Sequence, residues 1–118
     1  MQKFPRSWNK ITCINYLQRK IILNAIAYYE LNTNRLTDKQ YDELSNQLVE
    51  LQKDIDINDT QYGYVMYDFD GTTGFDLYHR LNKQDKEYLM NIAIHVLDSS
   101  SKIQKVVEVK KKKKGKLF

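Results

Sequence analysis

Two amphipathic patterns on either side of a short polar turn constrain this chain more than any other feature. Over residues 8–31, Ile11, Ile14, Leu17, Ile21, Ala25 and Tyr28 recur three or four places apart. That spacing lines one face of an α-helix, and Ser7 just before it is predicted as the N-cap. Residues 32–36 are mostly polar, with Asn and Thr that suit a turn. A second helix is predicted from Thr37. Thr37 and Gln40 have capping-box spacing, and Asp38 in the first turn favours the helix dipole. Tyr41, Leu44, Leu48 and Leu51 make its apolar stripe, which fades near Lys53 or Asp54. Two such stripes joined by a short turn bury each other best as an antiparallel hairpin.

The rest of the chain is less regular. Residues 54–61 form a polar loop. Residues 62–70 are rich in Tyr, Val and Phe with loose alternation, and are predicted as a short strand or extended segment. Residues 71–74 read as a turn, and 75–81 as a short helix or irregular structure. Asn82 is a cap for a third helix over 83–97, carrying Tyr88, Leu89, Ile92, Ala93, Ile94 and Val96. Residues 98–101 end it. Residues 103–109, IQKVVEV, have β character and are predicted to pair with the earlier strand. The expected class is α+β and mostly α: a long helical hairpin, a third helix and a short antiparallel β element. Residues 1–101 are expected to form one compact domain, with the hairpin over 7–54, and 102–118 a basic C-terminal tail.

At 118 residues the chain is the size of one small domain. Its charge is divided. Residues 1–101 carry eleven Lys or Arg against fourteen Asp or Glu, a net −3, whereas residues 102–118 carry eight Lys and one Glu, a net +7. Cys13 is the single cysteine, so no internal disulfide forms, which suits a reducing compartment. The longest apolar runs are a few residues, too short to span a bilayer, and no signal-peptide pattern is seen. A cytoplasmic location is expected.

The stretch YVMYDFDGTTG, residues 64–74, resembles the first motif of haloacid-dehalogenase-type phosphotransferases, in which one Asp is a nucleophile and the other an acid/base. Asp68 and Asp70 would fill those places. The resemblance stops there. That fold needs later strands bearing a Ser or Thr, a Lys and a further acidic pair, and only 44 residues follow Gly74. Without β-α-β alternation the stretch reads better as turn chemistry. Residues 54–59, DIDIND, open like a calcium loop, but Asp59 stands where Gly is needed and Val65 where Glu is needed. His79 and His95 are isolated from other ligand types. No catalytic residue and no metal ligand is assigned, and the chain is expected not to be an enzyme.

A more extended pattern lies in residues 27–52, AYYELNTNRLTDKQYDELSNQLVELQ. An aromatic pair, a short turn, then Thr-Asp-x-x-Tyr-Asp-x-Leu resembles the N-terminal helical domain of NAD-dependent DNA ligases. The likeness covers residues 21–53 or so. It implies a hairpin that closes over the nicotinamide mononucleotide (NMN) half of NAD, with Tyr28, Tyr29, Asp38, Tyr41 and Asp42 as the corresponding group. Departures are Asn32 for the usual Asp, Asn34 for Pro and Gln40 for Glu. The adenylation domain and its Lys-x-Asp-Gly motif are missing, since DFDG has Asp68 where the Lys belongs. Ligation by this chain alone is therefore excluded. No cofactor is expected, with NMN or NAD as the alternative. Small proteins built on this piece look typical of bacteriophages and mobile elements.

Tyr62, Tyr64, Tyr67, Phe69 and Phe75 crowd one region around acidic residues. Tyr64, Tyr67, Asp68, Phe69, Asp70 and Asp76 are the candidate partner surface, since aromatic anchors dominate protein interfaces. The tail residues Lys110, Lys111, Lys112, Lys113, Lys114 and Lys116 would attract nucleic acid or anionic surfaces without base readout. These features favour a non-enzymatic phage or mobile-element accessory protein that binds and inhibits a host protein or protein–nucleic-acid complex, for example a CRISPR or other defence nuclease. The alternatives are a small NMN- or NAD-type nucleotide-binding module and, third, a DNA-replication accessory protein.

Overall fold

The first helix, α1, begins later than its apolar pattern suggests. In a computed structural model, which describes residues 2–33, 36–72 and 74–101 and side chains as far as Val96, α1 spans Lys10–Ala25. Its N-cap is Asn9, whose Oδ1 accepts from the Thr12 amide at 2.9 Å. Ser7 lies in the preceding turn, where the Trp8 amide donates to the Pro5 carbonyl at 3.1 Å. An aromatic cluster explains the delay. The rings of Phe4, Trp8 and Tyr16 sit 5.7 to 6.0 Å apart, so the arm folds back onto the helix before the helix starts.

The end of α1 departs from the sequence reading in a second way. Residues Ile26–Glu30 form a π-turn, closed by the Leu31 amide donating to the Ile26 carbonyl at 3.0 Å. The wider turn breaks the 3.6-residue register. Ala27 goes inward, and Tyr28, expected on the buried face with Ala25, is turned out to 52% exposure. The exit is Asn32 at φ +57°, with the Thr33 amide donating to the Ala27 carbonyl at 2.9 Å. Asn tolerates this left-handed conformation and most residues do not. Asn32→Ala is expected to lower the unfolding free energy by about 1 kcal/mol in urea denaturation, while Asn32→Gly leaves it unchanged or slightly higher.

Helix α2, Asp38–Gln52, follows expectation closely. Thr37 Oγ1 accepts from the Gln40 amide at 3.1 Å, and Gln40 Oε1 accepts from the Thr37 amide at 2.9 Å, completing the capping box. Leu44 and Leu48 are buried against α1, with Tyr41 and Leu51 half-buried beside them. Each fully buried Leu or Ile in this seam contributes roughly 1.5–3 kcal/mol of transfer free energy.

The strand expected over residues 62–70 is not there. A 3₁₀ turn, Ile57–Asp59, leads into a single helical turn, α3, Gly63–Met66. Its amides bond locally: Val65 and Met66 both donate to the Tyr62 carbonyl, at 2.9 and 3.0 Å. Tyr62, Val65 and Met66 are buried, which is helical spacing hidden inside an apparent alternation. Among the described residues there is no strand, and residues 103–109, the expected partner, lie outside them. A second short helix, α4, Leu77–Arg80, fills part of residues 75–81. Helix α5, Lys83–Ser101, runs four residues past its expected end at 97. Its start is as expected, with the Asp85 amide donating to Asn82 Oδ1 at 2.7 Å.

The architecture is thus mostly α. α1 is central, packing on α2, α4 and α5, while α3 packs on α4. One core unites Leu17 and Ile21 of α1, Leu48, Val65, Leu77 and Leu89. No helix among the described residues is long and apolar enough to cross a membrane. The lysine-rich tail, with Lys110 to Lys114 and Lys116, lies outside them.

Candidate functional site

The two regions singled out by sequence meet at one end of the hairpin. The π-turn carries Tyr28 and Tyr29, whose rings lie 4.8 Å apart and nearly perpendicular. Phe75, from the turn before α4, meets Tyr29 edge to face at 5.3 Å. Phe75 is 63% exposed and Tyr29 40%, so with Tyr28 they form a continuous ring surface open to solvent. Phe75 belongs to the aromatic crowding visible in sequence but falls outside the predicted surface. Its signal was its place one residue after Gly74.

The loop of residues 70–74 reaches back to α2 through Tyr41. The Tyr41 hydroxyl donates to the Thr72 carbonyl at 2.8 Å. Burial pushes its pKa up; Ser45 opposes this, and Tyr29, Asp42 and Asp70 add to it. Gly74 packs where a side chain would crowd Leu77, Ala25 and the Tyr41 hydroxyl. Tyr29 and Tyr41 are therefore close, with Asp42 alongside. Asp38 and Asp42 are exposed on α2. Of the five ligase-like residues, Tyr28, Tyr29, Tyr41 and Asp42 gather at this end. The Tyr41 hydroxyl, however, is used to hold the loop.

The Asp pair of the YVMYDFDGTTG stretch has structural partners. Arg80 on α4 binds Asp68 through both guanidinium nitrogens, at 2.6 and 3.3 Å. It also binds Asp76 Oδ2 at 3.0 Å and the Val65 carbonyl at 2.8 Å. The Arg80 hydrogen bond lowers the Asp68 pKa and, reciprocally, raises that of Arg80. The Asp70 carboxylate accepts from the Thr72 hydroxyl and amide, at 2.6 and 3.1 Å, which lowers its pKa too. Asp70 thus stabilises a turn around Gly71, at φ +91°. Asp68 serves as a clamp on Arg80 and Asp70 as a turn cap.

The other predicted surface residues separate. Tyr67 is 61% exposed, and the Arg80 guanidinium stands 4.9 Å from its ring centre. Phe69 is half-buried against the core. The Tyr64 hydroxyl donates to Asp85 and accepts from the Asn82 amide, fastening α3 to the start of α5. Burial and the Asp85 hydrogen bond push its pKa up to about 12. His79 Nε2 lies 3.3 Å from Glu30 Oε2, tying α4 to the π-turn. Arg80 is the residue that sequence reasoning missed. A lone Arg carries no motif; Asp76 is its i−4 neighbour, and only the folded chain brings Val65 and Asp68 to it. Among the described residues, no three His, Cys, Asp or Glu side chains cluster as metal ligands.

The chain matches no family model, no curated protein and no solved structure.

Proposed function

We propose that this chain is a non-enzymatic accessory protein, of the kind carried by phages or mobile elements, that binds a host protein or protein–nucleic-acid complex and inhibits it. A CRISPR or other defence nuclease in the bacterial cytoplasm is the class of target intended. The observation that carries the reading is the exposed surface of Tyr28, Tyr29 and Phe75, presented on a hairpin end. Aromatic anchors held on a rigid scaffold lose little conformational entropy on binding, and such residues dominate interface energetics. The net charge of −3 over residues 1–101 complements a basic surface, as on a nucleic-acid-handling protein.

The test is capture from bacterial host lysate, with and without nuclease treatment, by the wild-type chain and by a Tyr29→Ala/Phe75→Ala variant. A specific protein retained after nuclease treatment and lost with the variant is the expected result. Equal capture by both, or capture that vanishes with nuclease, overturns it.

A second reading is an NMN- or NAD-type module. It is favoured by the gathering of Tyr28, Tyr29, Tyr41 and Asp42 at one end of the hairpin. Calorimetric titration with NMN decides it. Saturable heat abolished by Asp42→Ala supports a nucleotide site, and absence of heat removes it.

A further inference from the structure

A separate groove runs between α1 and α5, about 340 Å³ in volume. Its size falls within the range of small-ligand sites. Its walls are Tyr16, Arg19, Lys20 and Asn24 of α1, and its apolar side includes Leu23 and Ala93. Among the described residues, no Asp or Glu lines it. That is notable in a body whose acids outnumber its bases, at net −3 over residues 1–101.

The cations are set in place. Tyr16 is held from behind by Phe4 and Trp8. The Lys20 ammonium sits 5.6 Å from the Tyr16 ring centre and donates to Gln2 Oε1 at 3.1 Å. Lys20 thus meets neutral partners. Among the described residues, no carboxylate lies within ion-pair distance of Arg19. Asp85 on α5 is held by the Tyr64 hydroxyl instead. Arg19 is half-buried beside the groove, and among the described residues its guanidinium fork has no counter-charge.

We propose that this groove is a binding site for a small organic anion: one carboxylate or phosphate group on a flat apolar body. The anion meets Arg19 and Lys20, and the apolar body lies against Leu23 and Ala93 with the Tyr16 ring at the side. A planar guanidinium matches a carboxylate or phosphate bidentately. The chain's own lysine-rich residues 102–118 are the wrong charge to fill it, at net +7. Tyr28, Tyr29 and Phe75 do not line this groove, so the proposal is independent of the partner-binding reading.

The test is an amide and side-chain NMR titration of the full chain with benzoate, phenyl phosphate and the neutral isostere benzyl alcohol. Benzoate or phenyl phosphate is expected to shift Arg19, Lys20, Asn24 and Ala93 saturably, with a Kd of about 1 mM or tighter. Whichever anion binds more tightly identifies the head group. Arg19→Met is expected to weaken binding by about tenfold or more, with an unchanged thermal melt. The neutral probe acts on the wild-type chain, so the result stands even where a variant is unstable. Equal binding of benzyl alcohol, shifts elsewhere only, or full affinity in Arg19→Met overturns the proposal.

Discussion

Gln18→Leu is expected to lower the unfolding free energy by about 2–4 kcal/mol, despite placing a better hydrophobe in the core. Gln18 is fully buried on the apolar face of α1, between Leu17 and Ile21. Its Oε1 accepts from the Tyr62 amide at 3.0 Å. Its Nε2 donates to Gln52 Oε1 at 3.0 Å and to Thr60 Oγ1 at 2.9 Å. One side chain thus joins α1 to the end of α2 and to the irregular segment before α3. Leucine matches the size but leaves the Tyr62 amide without its acceptor, and each buried polar group orphaned this way costs about 1–3 kcal/mol. Added apolar burial offsets only part of this. Urea denaturation gives the loss, and hydrogen exchange at the Tyr62 amide locates it. Gln18→Leu combined with Gln52→Leu is expected to cost less than the sum of the single changes, because Gln52 is then no longer orphaned. A single-variant loss below about 0.5 kcal/mol would rule out the hub.

Gln18 also marks the boundary of what the sequence makes legible. The long helices were readable because their signals are local: the capping box of Thr37 and Gln40, the spacing of Ile14, Leu17 and Ile21, and the Asn82 cap all act within two turns. Gln18 lies on that same stripe, at i+4 from Ile14 and i−3 from Ile21, so a buried polar hub was visible as an anomaly. Its partners 34 to 44 residues away were not.

The segment around residues 62–70 failed for a different reason. Tyr62, Val65 and Met66 satisfy helical spacing, while Tyr62, Tyr64 and Met66 alternate with Val65, Tyr67 and Phe69 as in a strand, and four residues are too few for period to decide. What decides is tertiary. The Gln61 and Tyr62 amides are taken by Asn15 Oδ1 and Gln18 Oε1 of α1, at 2.7 and 3.0 Å, and so are lost to any ladder. The candidate site was half-legible likewise. The tyrosine pair and the aromatic–acidic loop stood out separately. Their meeting through Phe75, and the work of Arg80 in holding Asp68, depend on where α4 docks.

Gly63→Ala tests this docking most severely and sets two effects against each other. Gly63 opens α3 with φ outside the left-handed region, so its backbone would accept alanine. Helix propensity alone would favour the change by about 1 kcal/mol. Space forbids it. A Cβ on Gly63 would stand 1.9 Å from the Ile57 carbonyl oxygen, 2.8 Å from its carbon and 3.0 Å from Thr60 Oγ1. The obstacle is backbone, which cannot rotate aside, and the glycine serves close approach instead of an unusual dihedral. The 3₁₀ turn must move, and with it the Thr60 hydroxyl, which bonds the Ile57 carbonyl at 2.6 Å and accepts from Gln18. Such overpacking costs about 1–3 kcal/mol or more. Together with the weakened Gln18 contacts it outweighs propensity, for an expected net loss of about 2–3 kcal/mol in urea denaturation. The effect should reach the candidate surface. Arg80 holds the Val65 carbonyl of α3 together with Asp68, so a displaced α3 loosens the presentation of Tyr67 and the loop leading to Phe75. Chemical-shift changes at the Arg80 side chain are expected alongside the stability loss. An alanine variant as stable as wild type would mean that the segment before α3 packs more loosely than the 1.9 Å approach requires.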